Sequence, residues 1–451
     1  MSPYSLNRRS FLAAAGAVSL GATLAACGGD TGAAPSVSQS DVDKALATPT
    51  ELTFWTWLPN IDREVALFQK KYPAIKVTVV NAGQGTPQYT KLRTALQAGA
   101  GAPDVVQIEY QYIPTFTITD SLLDLRPYGA AALKSQFVDW TWGQVTGAGG
   151  EIWAMPQDTG PMGLLYRQDI FDQHGIQVPK TWDEFADAAH KLHAADPNVY
   201  LTNLAANQAA AWHGLLWQAG AKPYVSTGKS DIAISVSDNI SKRLGAYWGG
   251  LARDGVIGTE PDFTDAWYSA LNNGKYATWI TAAWGPVFLS GSAKATAGKW
   301  RAAPLPQWDA SAPHSGNWGG STTAVLKTTK NPVVAAMFAK FLNTDPASTK
   351  MFATDQFLFP ATKAVLADPA FAGDKPAFYG GQTVNQVFAD IGNTVSSSFQ
   401  WPPFLDQVVT DWTETVGKSL ADKTDTVAAL DQWQSRITTF AKNQGFTVGG
   451  K

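Results

Sequence analysis

Apolar and polar positions along the chain fall into two repeating periods. Leu52-Thr53-Phe54-Trp55 reads as a short strand. Behind it, Asn60 is placed to cap a helix whose apolar positions Ile61, Val65, Phe68 and Tyr72 share one face. Asp62 and Glu64 come early in that helix and Lys70 and Lys71 late, as the helix dipole favours, and Pro73 stops it. Strand Ile75–Val80 follows, then a loop with Gly83 and Gly85, a helix carrying Leu92, Ala95 and Leu96, and a strand over residues 105–108. A β-α-β-α-β order with near-continuous apolar strands predicts a parallel sheet covered by helices on both faces.

A second αβ series begins after Gly150. Thr181 and Glu184 are spaced as a capping box, and Trp182, Phe185, Ala186, Ala189 and Leu192 form the buried stripe of the helix it opens. Asn331-Pro332 starts another helix with proline at its first position. Beyond Ala347 the pattern is mainly helical and ends in an amphipathic helix near residues 431–442. At 451 residues, two domains are expected.

The chain is 45% hydrophobic and 16% charged, the balance of a water-soluble globular protein. At its start, Asn7-Arg8-Arg9-Ser10-Phe11-Leu12 leads into an apolar run too short to span a bilayer, which takes ~20 residues. A twin arginine before such a run reads as a secretory signal over residues 1–27. Leu24-Ala25-Ala26-Cys27 resembles the lipobox of bacterial lipoproteins, in which Cys27 is acylated and anchors the chain to the outer face of the cell membrane. Cys27 is the only cysteine, so a disulfide is excluded. Residues 28–48 are small and polar and are expected to be a flexible tether. Without residues 1–27 the formal charge passes from −3 to −5, which argues against a nucleic-acid partner.

The chain resembles the extracellular solute-binding proteins of ABC importers, in the sugar-binding family that includes maltose-binding protein. The resemblance rests on an ordered series of blocks: residues 52–57 with FQKKYPAIKVTVV, GAPDVVQIE, SLLDLRPY, GEIWAMPQDTGPMGLLYRQDIFDQHGIQVPKTWDEF, NNGKYATWITAAWGP, GNWGGSTTAVLKTTKNPVVAAMFAKFL and FPATKAVLADPAF. Tyr166-Arg167-Gln168 departs from the Tyr-Asn-Lys or Tyr-Tyr-Asn run common there. The resemblance implies an α/β, two-lobed periplasmic-binding-protein fold, each lobe a sheet flanked by helices, with a ligand cleft between lobes. Residues 49–160 and 313–347 would form lobe 1, and residues 161–312 and 348–451 lobe 2. It further implies a sugar ligand, ABC permease subunits as partners and hinge closure around ligand. A monomer is expected, with no cofactor and, for want of a ligand cluster in the sequence, no metal.

Sugar recognition needs flat aromatic faces against pyranose C–H groups, and carboxylates or amides in the plane of the hydroxyls. Ligands of open α/β sheets bind outside the carboxyl ends of strands. The residues leaving those ends are Trp57, Gln84, Glu109, Tyr110, Gln157 and Asp158. The resemblance adds Asn207, Gln208, Trp212, Trp284 and Trp401, and Trp318-Gly319 on a tight loop where glycine admits close approach. Each of these tryptophans has an alternative as a packing residue between or within lobes. With 18 Trp in the chain, stacking surfaces are expected as well as core.

Catalytic patterns are sparse. Neither a G-x-S-x-G elbow nor a G-x-x-x-x-G-K loop occurs, and His190 and His193 lack a third ligand. Glu109 and Asp158 could in principle pair as glycosidase carboxyls. The leading expectation is a non-enzymatic receptor. The alternatives are a receptor for a peptide, polyamine or glycerol phosphate on the same fold, a secreted carbohydrate-active enzyme, and a surface adhesion protein.

Overall fold

The computed structural model describes residues 36–226 and 228–449. The twin arginine, Cys27 and the first part of the 28–48 segment lie outside the described residues. Five strands form one sheet: β1 (Thr50–Trp55), β2 (Ile75–Val80), β3 (Val105–Glu109), β4 (Ala154–Pro156) and, much later, β10 (Ser321–Val325). Their order is β2-β1-β3-β10-β4. Helices Asp62–Lys71 and Thr86–Ala98 carry the chain back between the first three strands, which are parallel. β10 returns from the other half of the molecule and runs antiparallel to both β3 and β4. The parallel sheet expected from the opening series is therefore mixed.

The second half builds two smaller sheets. β5 (Met162–Arg167) lies between β8 (Thr278–Ala282) and β9 (Trp300–Pro304), antiparallel to each. β6 (Tyr224–Ser226), β7 (Asp231–Ile234) and β11 (Thr447–Gly449) form the other. β5 and β8 are buried at every position, which is why MGLLYR and TWITA read as continuous rather than alternating patterns. The one full charge on β5, Arg167, is paired through two 2.7 Å bonds to Asp169. The capping box forms as expected: Thr181 Oγ accepts the Glu184 N–H, and the Glu184 carboxylate accepts the Thr181 N–H.

Three expectations are corrected. Asn60 does not cap its helix; it turns the chain with φ of 61°, and Ile61 holds the cap position without a side-chain bond. Residues 39–47 are not tether but helix Gln39–Ala47, opened by the Ser38 side chain and packed on helix Pro332–Thr344. Val42 and Leu46, one turn apart, supply its buried face. The second lobe does not start at 348. Helix Pro346–Thr354 packs on Asp62–Lys71 and Pro332–Thr344, and Thr362 bridges to Phe137, so this stretch belongs with the first sheet. The chain rejoins the second half by helix Val384–Gly392, which packs on β5 and β9.

Because Leu46 is buried against the first body, Leu46→Ala is expected to cost about 2 kcal/mol in urea unfolding of the soluble chain. An unchanged midpoint would return residues 39–47 to the tether.

Candidate binding site between the two halves

The carboxyl ends of β1, β3 and β4 and the start of β10 meet at one edge of the first sheet. Ser321 on β10 stands opposite Glu109 on β3. Behind this pair a buried hydrogen-bond chain runs in one direction. The Thr56 hydroxyl donates to Gln107 Oε1 at 2.6 Å, and the Trp57 N–H donates to the same oxygen at 3.3 Å. Gln107 Nε2 donates to Ser321 Oγ at 3.0 Å. The Ser321 hydroxyl and N–H both donate to Asp158 Oδ1, at 2.7 and 3.0 Å.

Burial pushes the pKa of Asp158 up to about 6, against the lowering effect of Ser321 and the neighbouring Gln157 amide. Glu109 is pushed up to about 7, again by burial first, with the Asp158 charge adding to it; the Tyr89 hydroxyl and Gln111 act in the other direction. Tyr89 donates to Glu109 Oε2 at 3.1 Å and accepts the Glu109 N–H at 2.9 Å. Its ring packs 4.2 Å from Tyr112 and edge-on to Trp57. Among the described residues, no cation acts on either carboxyl.

Beside these carboxyls lie buried polar atoms that are not fully bonded: Gln157 Nε2, which leans on Asp158, and Tyr110 Oη, which leans on Thr141; next to Tyr110, Trp140 buries its indole N–H without a partner. An unsatisfied buried group costs about 1–3 kcal/mol, so groups short of partners in one region mark a place where an incoming polar molecule gains. Gly320, at φ of 86°, lets the chain pass this point, since a Cβ there would lie 3.0 Å from the Tyr110 ring.

Tyr110 and Trp140 open an aromatic wall that continues into the second half. Trp140 meets Trp217 edge-on at 5.8 Å, Trp217 stacks on Phe399 at 4.5 Å, and Trp401 closes on Phe399 and His213. The Trp401 indole N–H is also buried and unpartnered. Farther along the second half, Trp284 follows β8 and donates its indole N–H to the Trp318 carbonyl at 2.8 Å, with the two rings edge-on. Asp262, buried, accepts from Gln208 Nε2 at 2.8 Å, and its N–H donates to Asn207 Oδ1. Burial pushes Asp262 up to about 6.

One described ion pair joins the two halves. Both Nη atoms of Arg93, on helix Thr86–Ala98, donate to Asp406 Oδ2, and the Tyr112 hydroxyl donates to Asp406 Oδ1 at 2.9 Å. Helix Leu405–Trp412, which carries Asp406, packs on helix Thr426–Asn443 of the second half.

Residues 56–349 match the bacterial extracellular solute-binding proteins, well over half of the chain. The chain belongs to that family. This solute-binding protein is similar to the ABC-transporter-associated binding protein of B. animalis subsp. lactis Bl-04, solved with β-1,6-galactobiose, at 31% identity over 88% of this chain and 99% of that one (TM-score 0.76). It is similar to the galacto-N-biose/lacto-N-biose I-binding protein of Bifidobacterium longum, solved with lacto-N-biose, at 25% identity over 88% and 98% (TM-score 0.76). The arabinooligosaccharide-binding protein of Halalkalibacterium halodurans is 22% identical over 80% of this chain and 82% of its own length. The two-lobed α/β fold of the solute-binding proteins is the fold described above.

Of the residues anticipated for the site, Trp57, Glu109, Tyr110, Gln157 and Asp158 converge on the sheet edge, and Gln208, Trp284, Trp318 and Gly319 lie together in or beside the second half. Gln84 and Asn207 are exposed, Gln84 on the loop before helix Thr86–Ala98. Trp212 is corrected: its side chain is buried in the core, 6.1 Å from the Trp412 ring, because helix Ala209–Gln218 is buried almost all round. Trp401 is half-buried in the aromatic wall. The expectation passed over Tyr89, Gln107, Trp140, Trp217 and Asp262. Gln107 was findable as the polar residue set between the apolar Val106 and Ile108, and Trp140 from the Trp-x-Trp spacing of DWTW; Asp262 carried no comparable signal.

Glu109 holds its proton to higher pH in the folded than in the unfolded chain, where it ionises near 4.3. The folded state therefore binds the extra proton between about pH 4 and 7, and this group's contribution to stability falls as pH rises through that window. Glu64, fully buried and also pushed up to about 7, adds a parallel slope, so the informative quantity is a difference between variants. Relative to the parent solute-binding protein, Glu109→Gln is expected to gain roughly 2 kcal/mol between pH 4.5 and 7.5 in urea unfolding. A difference that stays constant with pH would mean that Glu109 ionises normally.

Proposed function

We propose that this solute-binding protein is a lipid-anchored, extracytoplasmic receptor that takes up a short oligosaccharide between its halves and delivers it to an ABC permease. The observation that carries the reading is the set of buried, incompletely bonded Tyr110, Gln157 and Trp140 polar atoms near the Glu109 and Asp158 carboxyls and a wall of rings. Sugar hydroxyls both donate and accept, so one molecule can satisfy indole and amide donors and carboxylate acceptors together. The sugars held by the relatives point to the same class. Residues 49–160 with 313–362 and residues 161–312 with 384–449 are the two bodies that close on it, and the Arg93–Asp406–Tyr112 contact joins them in the closed form. Glu109 and Asp158 serve as hydroxyl partners rather than as a cleaving pair, in keeping with relatives that are binding proteins. The receptor works as a monomer without metal or cofactor, anchored through Cys27.

A thermal-shift screen of the soluble chain against mono-, di- and oligosaccharides tests the reading, since a ligand at 100 times its Kd adds ~2.7 kcal/mol. No shift with any sugar at millimolar concentration would overturn it. Replacing Cys27 by Ala is expected to move the protein from the membrane fraction to the soluble one; retention of the variant on membranes would end the lipoprotein assignment.

Trp284→Ala is expected to weaken sugar binding at least ten-fold, roughly the effect of losing a desolvated aromatic anchor, while the unliganded chain stays folded. Trp284→Phe keeps a ring but loses the bond to the Trp318 carbonyl, and is expected to lose less. Calorimetric titration with denaturant unfolding separates this from a core role, for which stability would drop by ~3–5 kcal/mol and affinity would hold.

A further inference from the structure

Two exposed aromatic side chains form one patch, Phe288 at 50% and Phe263 at 38%, with Val287, at 41%, preceding Phe288 in the chain. Val287 and Phe288 stand on helix Gly285–Ser292, one turn past Trp284. Phe263 comes from a separate loop, and its backbone has φ of 56°, a region that bulky side chains rarely adopt. It is kept there by rings on several sides: Trp267 at 5.6 Å, Trp284 at 6.0 Å and Trp318 at 6.3 Å. Phe288 meets Trp284 edge-on at 5.6 Å and Phe263 at 6.5 Å. Trp284 is thus shared by two neighbourhoods, the half-buried group with Trp318 and the solvent-facing patch.

We propose that this patch is an outer sugar subsite. It stacks the further units of an oligosaccharide whose inner unit lies against Trp284, and so makes affinity depend on chain length. The inference rests on the oligosaccharide reading and adds where the outer units go. Two features favour a sugar over a protein partner. A protein interface buries about 800 Å² on each side, far more than three side chains offer, whereas one pyranose face matches one exposed ring. The patch also has a polar margin. Asn207, exposed, is held on Asp262, the residue before Phe263: its Oδ1 accepts the Asp262 N–H and its amide lies against the Asp262 carboxylate. Rings flanked by an exposed amide suit a ligand with apolar C–H faces and hydroxyl edges.

The experiment is calorimetric titration of the unaltered protein, Phe288→Ala and Phe263→Ala with two ladders, β-galactooligosaccharides and arabinooligosaccharides of two to five units. The unaltered protein is expected to bind longer members of its preferred ladder more tightly than the disaccharide. Phe288→Ala is expected to leave the disaccharide within about twofold and to weaken the longest member roughly five- to ten-fold, the range of one aromatic contact. Phe288 is half exposed, so this variant tests the subsite even where Phe263→Ala unfolds. Equal losses at every length, or none at any length, would overturn the subsite and leave the receptor reading standing. Intact sugar binding with lost uptake in cells would assign the patch to a protein partner and also overturn it. Failure of the unaltered protein to bind any member of either ladder would remove both the subsite and the oligosaccharide reading.

Discussion

The fully buried amide of Gln107 is the constraint around which the first half is arranged. A glutamine buried between Val106 and Ile108 has to satisfy both ends of its amide or lose about 1–3 kcal/mol at each. Its oxygen is satisfied from just past the end of β1, by Thr56 and Trp57, and its nitrogen by Ser321 on β10. Those demands require β3 to sit between β1 and β10, as it does. Ser321, having accepted from Gln107, has its hydroxyl proton free for Asp158. Each donor then polarises the next, and the chain ends on a carboxylate at the point where the backbone leaves the first sheet for the second half. Asp158 therefore puts the end of this polar chain, and the proposed recognition chemistry, at the crossing between the two bodies.

The electrostatics of the two halves differ in kind. Glu109, Asp158 and Asp262 are desolvated and steadied by hydroxyls and amides rather than by cations, so their environment favours neutral partners and resists added negative charge. The contact between halves instead uses full charges, Arg93 against Asp406, where both side chains keep substantial exposure. A half-exposed pair of this kind is worth about 1 kcal/mol or less, even with Tyr112 added. That is enough to bias two bodies between arrangements and too little to lock them, which is what a receptor that must also release its ligand requires.

Much of this was legible in the sequence, and the failures share a cause. The opening strands and helices, the Thr181 capping box and the sheet-edge residues all depend on local spacing or on the rule for strand ends. What was missed depends on partners distant in sequence. β10 runs antiparallel because of where the chain has been since β4, about which its own five residues say nothing. Helix Gln39–Ala47 has only Val42 and Leu46 to bury, too weak a period to stand out until helix Pro332–Thr344 lies beneath it. Trp212 and Trp284 look alike as indoles after short apolar runs. One is core and the other half-exposed because helix Ala209–Gln218 is enclosed on nearly every face, while Trp284 stands where β8 ends.

The tryptophan content has a physical reading once the rings are placed. In the core, Trp182 and Trp248 pack edge-to-face at 5.3 Å and serve the fold of the second half alone. Between the halves, Trp140 and Trp217 do the same with their rings drawn from different bodies. Indoles suit that place because they cover large apolar area with only two rotatable bonds, so little ordering entropy opposes the meeting of two bodies. Their N–H groups prevent the contact from being self-sufficient. Trp140 and Trp401 bury theirs without a partner, so closure of the bare protein leaves polar groups unsatisfied that a hydroxyl-bearing guest can satisfy. In the proposed receptor, closure is favoured by the rings and completed by the ligand, so that the same side chains would separate the empty closed state from the loaded one.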